Sequence, residues 1–202
     1  MDHSIKSTFE FKDERDYVHG TDIFNILLDQ ISTKFEINDK INIKLSFKQP
    51  IHSQCLIHTS LNLPNVELSN NSCAELKLKY NDNFVYYYIE EIFEPIKKKY
   101  SSFEKLISDL AKVENDTVTI PFTEDTTFIE NIVFMNKKLL SCKVDKNKKK
   151  FFFSLIEIHD LSKIHHINNI SLKLDSVLGN KHFKSLIFVD SNNVGNIYFT
   201  LT

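Results

Sequence analysis

The sequence predicts an α+β fold made of two similar units, each an antiparallel sheet wrapped around one apolar helix. Two observations predict it. A short strand, an apolar helical run and four strand patterns follow one another in the first half, and the same order returns in the second. Glycine and proline are scarce, 3 and 4 of 202 residues, which argues against disorder and against solenoids built on frequent tight turns. The repeated order is most economically read as an internal duplication. Phe122 answers to Phe11, an offset of 111 residues (122 − 11).

Ser7-Thr8-Phe9-Glu10-Phe11 alternates polar and apolar, so it reads as a short strand. Lys12 to Gly20 is charged and irregular. From Thr21 the apolar positions Ile23, Phe24, Ile26, Leu27, Leu28 and Ile31 form a broad helical face running to about Phe35, with Thr21 or Asp22 able to cap the first turn. Ile41 to Phe47 alternates strictly. Pro50 interrupts it, and Cys55-Leu56-Ile57 resumes as a strand. Glu75 to Tyr80 and Phe84 to Ile89 flank Asn81-Asp82-Asn83, a hairpin signal. After Pro95, Ile96 to Val113 is amphipathic, with Phe103, Leu106, Ile107 and Leu110 on one face. Val118 to Phe122 then restarts the pattern, followed by Glu124-Asp125 and a helical run from Phe128 to Leu139. Strands are expected at Phe151 to Ile158, Ile170 to Val177, Phe183 to Val189 and Asn196 to Leu201. The expected organisation is units 1–94 and 116–202, joined by a helical linker 95–115. Two unrelated α+β units are the alternative.

A sheet with one apolar face must cover it, and a single apolar helix laid across that face does so. Two such units joined edge to edge remove a pair of exposed edges. This element order resembles the hotdog fold, and two copies in one chain resemble a double hotdog.

Composition narrows the function. There are 25 Lys plus Arg against 27 Asp plus Glu, a net charge of −2, whereas a general nucleic-acid binder normally carries a basic excess. No apolar run approaches the roughly 18 residues of a membrane span. Met1-Asp2-His3-Ser4 shows no apolar signal core. Three cysteines, Cys55, Cys73 and Cys142, lack CxxC spacing, and an odd count fits a reducing compartment. A cytoplasmic protein with reduced thiols is expected.

The candidate chemistry lies in Asp13 to Phe24, which sets His19-Gly20 directly before the first apolar helix. The first amide N–H groups of a helix have no partner within it, and the dipole there favours negative charge. A thioester carbonyl placed in front would have its developing oxyanion stabilised by fixed donors. Gly20 admits close approach to the backbone, and His19 titrates near neutrality as a general acid or base. Asp16 or Asp22 can orient the imidazole or activate water. The segment resembles the active-site turn of hotdog thioesterases and of 3-hydroxyacyl dehydratases. It departs from them in lacking an Asn after His19 and a Gly-rich surround. The resemblance implies catalytic roles for His19 and Asp16, substrate contacts from Tyr17, Gly20, Thr21 and Asp22, and an acid from the second unit. With the 111-residue offset His19 aligns with Glu130 and Gly20 with Asn131, so a second site of the same kind is not expected, while Glu130 or Asp125 can supply that acid. The bland alternative is that Gly20 turns the chain and His19 caps the helix.

Other features carry less. His159, His165 and His166 cluster, and His52 and His58 share a face if their strand is regular, but no HExxH or Cys/His set accompanies them, so no metal is expected. Tyr86-Tyr87-Tyr88 reads as core packing rather than a base-stacking platform. Lys97-Lys98-Lys99 and Lys148-Lys149-Lys150 read as solvated turns. No Walker loop, GxGxxG or GxSxG is present. The leading expectation is an enzyme hydrolysing or dehydrating acyl-CoA or acyl-carrier-protein thioesters without a cofactor. A homodimer is open. The alternatives are a non-catalytic acyl-binding or interaction module of the same fold, or a hotdog acyltransferase or decarboxylase using Tyr17 or Thr21.

Overall fold

Alternating apolar segments need partner strands to become a sheet, and in the first unit five of them find one. The computed structural model describes residues 3–36, 40–123, 125–144 and 150–202, divided into units Met1–Ser102 and Phe103–Thr202. The first unit runs β1 (His3–Ser7), β2 (Phe11–Lys12), α1 (Gly20–Ser32), β3 (Ile41–Phe47), β4 (Ser53–Leu61), α2 (Val66–Asn71), β5 (Ala74–Tyr80), β6 (Asn83–Pro95) and β7 (Lys99–Tyr100). Its main sheet has the order β1-β4-β6-β5-β3, every neighbour antiparallel. Register sets Thr59, Tyr87, Leu76 and Leu45 in one row, and Ile57, Ile89 and Ala74 in another. All of these are buried, as the period-2 pattern requires.

Helix α1 turns Ile23, Phe24, Leu27 and Ile31 inward, each close to fully buried. Each such side chain contributes roughly 2 kcal/mol of burial. Just beyond the helix, the Phe35 ring lies 5.2 Å from that of Tyr80, and the Lys34 ammonium lies 5.4 Å from the Tyr87 ring. The short helix α2 was not expected. None of its residues is buried, so no apolar period marks it. It is held instead by the Asn65 side chain, which accepts from Leu68 N at 3.1 Å, and by Tyr88 OH, which accepts from Asn65 N at 2.8 Å.

The second unit comprises α3 (Glu104–Leu110), β8 (Lys112–Glu114), β9 (Thr117–Pro121), α4 (Phe128–Ser141), β10 (Phe151–Ile158), β11 (Asn169–Leu178), β12 (His182–Val189) and β13 (Asn192–Leu201). Its sheet order is β8-β9-β11-β12-β13-β10, again antiparallel. Helix α4 packs on β9 and β11 and buries Ile129, Ile132, Val133, Phe134, Met135, Leu139 and Leu140. Here β11, β12 and β13 meander through turns at Gly179-Asn180 and Asp190-Ser191, all four residues at positive φ. In the first unit the chain passes through α2 instead, so β6 enters the sheet between β4 and β5. The two units therefore share the strand–helix–four-strand order and differ in one connection.

Of the helix expected from Ile96 to Val113, only Glu104–Leu110 is helical. Lys97 to Tyr100 carries no apolar face to bury, and Lys99–Tyr100 pairs with β2 instead. The division between units falls after Ser102. Among the described residues no helix is long and apolar enough to cross a membrane. Cys55, Cys73 and Cys142 are free thiols. Glu124 and the Lys148-Lys149 part of the second lysine run lie outside the described residues.

Candidate active site

The expected strand Ser7 to Phe11 breaks in its middle, and that break builds the site. The β1 ladder ends at Ser7 opposite Cys55. Beyond it the Gln54 side chain replaces the ladder: its Oε1 accepts from Phe9 N at 2.6 Å and its Nε2 donates to Phe9 O at 3.1 Å. The alternation slips phase there, so Phe9 is buried and then Lys12, fully buried, takes the next inward place. The parallel pair β2–β7 sets Lys12 beside Tyr100. Asp13 follows at φ 52°, its N donating to Tyr100 O and its Oδ1 accepting from Ser102 N, both at 2.8 Å. Hydrogen bonds from Ser102, with Arg15 beside it, hold the Asp13 carboxyl below its usual range against the opposing effect of burial.

The chain then runs to α1 along Ile51 and His52. Val18 N donates to Ile51 O at 2.7 Å, and His52 Nδ1 donates to Asp16 O at 2.7 Å. His19 is the N-cap of α1, extended and without a side-chain cap bond, so neither Thr21 nor Asp22 caps the helix as the sequence suggested. Gly20 is the first helical residue. Thr21, fully buried, and Asp22 stand at the second and third.

These residues converge on one ammonium. Lys12 Nζ donates to Thr21 Oγ1 at 2.7 Å, pairs with Asp22 Oδ1 at 2.9 Å and lies 5.4 Å from the centre of the Tyr100 ring. Tyr100 OH donates to Asp22 Oδ1 at 2.7 Å. Thr21 Oγ1 lies 2.8 Å from His19 Nδ1 and 3.4 Å from Asp22 Oδ1. Asp22 Oδ2 is buried without a hydrogen-bond partner among the described residues. The electrostatics follow from position. A buried ammonium at the positive end of a helix dipole is doubly unfavourable, and Asp22 in the first turn neutralises both. An acceptor brought to this helix start meets a histidine, first-turn amides and a lysine.

The sequence-predicted residues divide. His19, Thr21 and Asp22 belong to the cluster, and Gly20 leads into it. Asp16 is exposed and Tyr17 half-buried, on the approach to the helix. Glu130 sits in the first turn of α4, where its Oε2 accepts from Thr127 N at 3.1 Å and Thr127 Oγ1 at 3.0 Å, closing a capping box. The two N-caps, His19 and Thr127, are 108 residues apart (127 − 19) rather than 111. Fewer residues separate Phe122 from its cap than separate Phe11 from His19. Matched at the caps, Glu130 answers to Asp22, both at the third helical position. Lys12 and Tyr100 went unread. A lysine after Phe11 looks solvated by local pattern, and only the β2–β7 pairing brings Tyr100 to it.

The other histidines hold separate places. His58 bridges Ser4 Oγ at 2.8 Å and Glu90 Oε2 at 2.9 Å, a polar ladder across β1, β4 and β6. His52 precedes β4, and a register shift at Ser53/Cys55 follows it, so His52 and His58 do not share a regular strand face. Among the described residues no three His, Cys, Asp or Glu side chains are placed to hold a metal ion.

No family model and no curated protein matches the chain. Solved structures do. The dehydratase domain from the CurJ module of curacin polyketide synthase superposes with TM-score 0.51 at 10% identity, covering 94% of this chain and 84% of that one. An acyl-ACP thioesterase from Bacteroides thetaiotaomicron gives 0.50 at 11% identity, covering 100% and 98%. A trans-AT polyketide synthase dehydratase domain from Brevibacillus brevis gives 0.50 at 9%, covering 98% and 92%. At these identities the likeness is one of fold, and this chain has the hotdog-like fold that those dehydratase domains and that acyl-ACP thioesterase share.

Proposed function

We propose that this protein is a double hotdog that processes acyl thioesters carried on coenzyme A or an acyl-carrier protein, by hydrolysis or by dehydration of a 3-hydroxyacyl group. The observation that carries the reading is the buried cluster of His19, Thr21, Asp22 and Lys12 at the start of α1. Its place in the fold suits a thioester carbonyl, whose developing negative charge is stabilised by first-turn amides of the helix. His19 acts on the bound thioester. Gly20 and Tyr17 line the approach. Asp16, exposed on that approach, is the carboxylate proposed for the proton or water step. The neighbours named as a dehydratase domain and an acyl-ACP thioesterase support this substrate class.

A specific observation favours a second reading. His19 is only 4% exposed and serves as N-cap, which suits a module that binds an acyl group without turning it over. Incubation with a panel of acyl-CoA, 3-hydroxyacyl-CoA and acyl-carrier-protein thioesters, with mass detection of products, separates the two. Turnover supports the enzyme, and saturable binding without product supports the module. Neither binding nor turnover across the panel removes both.

A further inference from the structure

The Thr21 hydroxyl has one proton and three polar neighbours. Lys12 Nζ, 2.7 Å away, carries donors only, so Thr21 Oγ1 accepts there. The hydroxyl proton is left with two acceptors: His19 Nδ1 at 2.8 Å or Asp22 Oδ1 at 3.4 Å. The first distance is ordinary for a hydroxyl donor, and the second is at its outer limit. Asp22 Oδ1 also already accepts from Lys12 and from Tyr100 OH. A hydroxyl that accepts from an ammonium is polarised and becomes a stronger donor. The distance and the occupied Asp22 oxygen direct the proton to Nδ1, and the polarisation strengthens that bond. A neutral imidazole that accepts at Nδ1 carries its own proton on Nε2.

We propose that Lys12, acting through Thr21, holds His19 as the Nε2–H tautomer, so that this residue offers a fixed hydrogen-bond donor rather than a base. Lys12 and Thr21 are positioning residues in this scheme, and Asp22 and Tyr100 fix Lys12 in turn. Any acceptor facing Nε2 meets an N–H. Its use on a thioester carbonyl rests on the function proposed above, where it moves the base role to a carboxylate. The tautomer itself does not rest on that function.

The test is a two-bond 1H–15N spectrum of the histidine rings in the full 15N-labelled chain at neutral pH, with the His19 signals identified by their loss in His19→Gln. The expected wild-type result is Nδ1 at the shift of an unprotonated ring nitrogen and Nε2 at that of a protonated one. Thr21→Val removes the hydroxyl at matched shape and moves both shifts toward the average of mixed tautomers, and Thr21→Ser restores the wild-type pair. A protonated Nδ1 in the wild type overturns the proposal by itself, whatever the variants do. Unchanged shifts in Thr21→Val overturn it as well. Failure of the functional reading shows elsewhere, as unimpaired turnover in His19→Ala or none in the wild type.

Discussion

Lys12 is the residue on which the candidate site turns, because its charge is buried where a helix dipole opposes it and Asp22 is its counter-ion. Removing one partner of such a buried pair withdraws a favourable charge interaction from the other. Asp22→Asn is therefore expected to destabilise the fold by roughly 3 kcal/mol, measured as a lowered urea midpoint, while the double variant Lys12→Met, Asp22→Leu recovers much of that loss. The thiols give a second residue-scale expectation. Burial pushes the Cys55 thiol up to about 12, with Cys73 and Glu91 adding to it, and burial raises Cys73 too. Thiolate is the reactive form, so a thiol reagent added to the native protein should modify exposed Cys142 first, with peptide mass mapping as the readout. Early labelling of Cys55 would contradict this burial. His19 was legible in the sequence because His-Gly before an apolar helix is a local pattern. Lys12 was not, since its inward turn depends on Gln54 clamping Phe9 from another strand.

Elements were legible in proportion to how local their signals are. Helices α1 and α4 and the eight strands of the two sheets after them show their periods in sequence. The short helix α2, the pair β2–β7 and the entry of β6 between β4 and β5 depend on side-chain caps and distant partners. The α4 cap is testable: Thr127 and Glu130 satisfy each other's backbone N–H groups, so Thr127→Ala should cost about 1 kcal/mol in thermal or urea unfolding. In β13, Gly195 lies against β10 so closely that a Cβ would run into the Glu157 carbonyl oxygen and stand 3.1 Å from Ile158 Cα. Gly195→Ala must push the two strands apart, and a clear drop in unfolding midpoint is expected. Glu91 ties the entry of β4 to β6. Burial raises its carboxyl, but bonds from His52 N, from Ser53 and from the Cys73 thiol outweigh that and leave it below its usual 4.5. A depressed folded value means stability held above pH 4.5 and lost as pH falls through the folded value. Glu91→Gln should therefore lose stability at neutral pH and show a flatter decline on acidification.

At the scale of the whole molecule, the chain has a hotdog-like fold by likeness to solved structures, and two units of the same element order divide it. The repeated element order was legible because in each unit a strand and one apolar helix precede four further strands. The helix offset was not, because the loops before the two caps differ in length. The sequence supports a functional proposal only as far as a class of substrates, since hydrolysis and dehydration ask for the same residue types at a helix start. The central claim is that the start of α1 performs chemistry on an acyl thioester. The most direct measurement is the turnover number of His19→Ala beside wild type on the best substrate of the thioester panel, with circular dichroism to verify the fold. The account expects turnover by the wild type and a loss of roughly 10²-fold or more in the variant, the usual scale for a positioned group. A folded His19→Ala protein that turns over at the wild-type rate would contradict it.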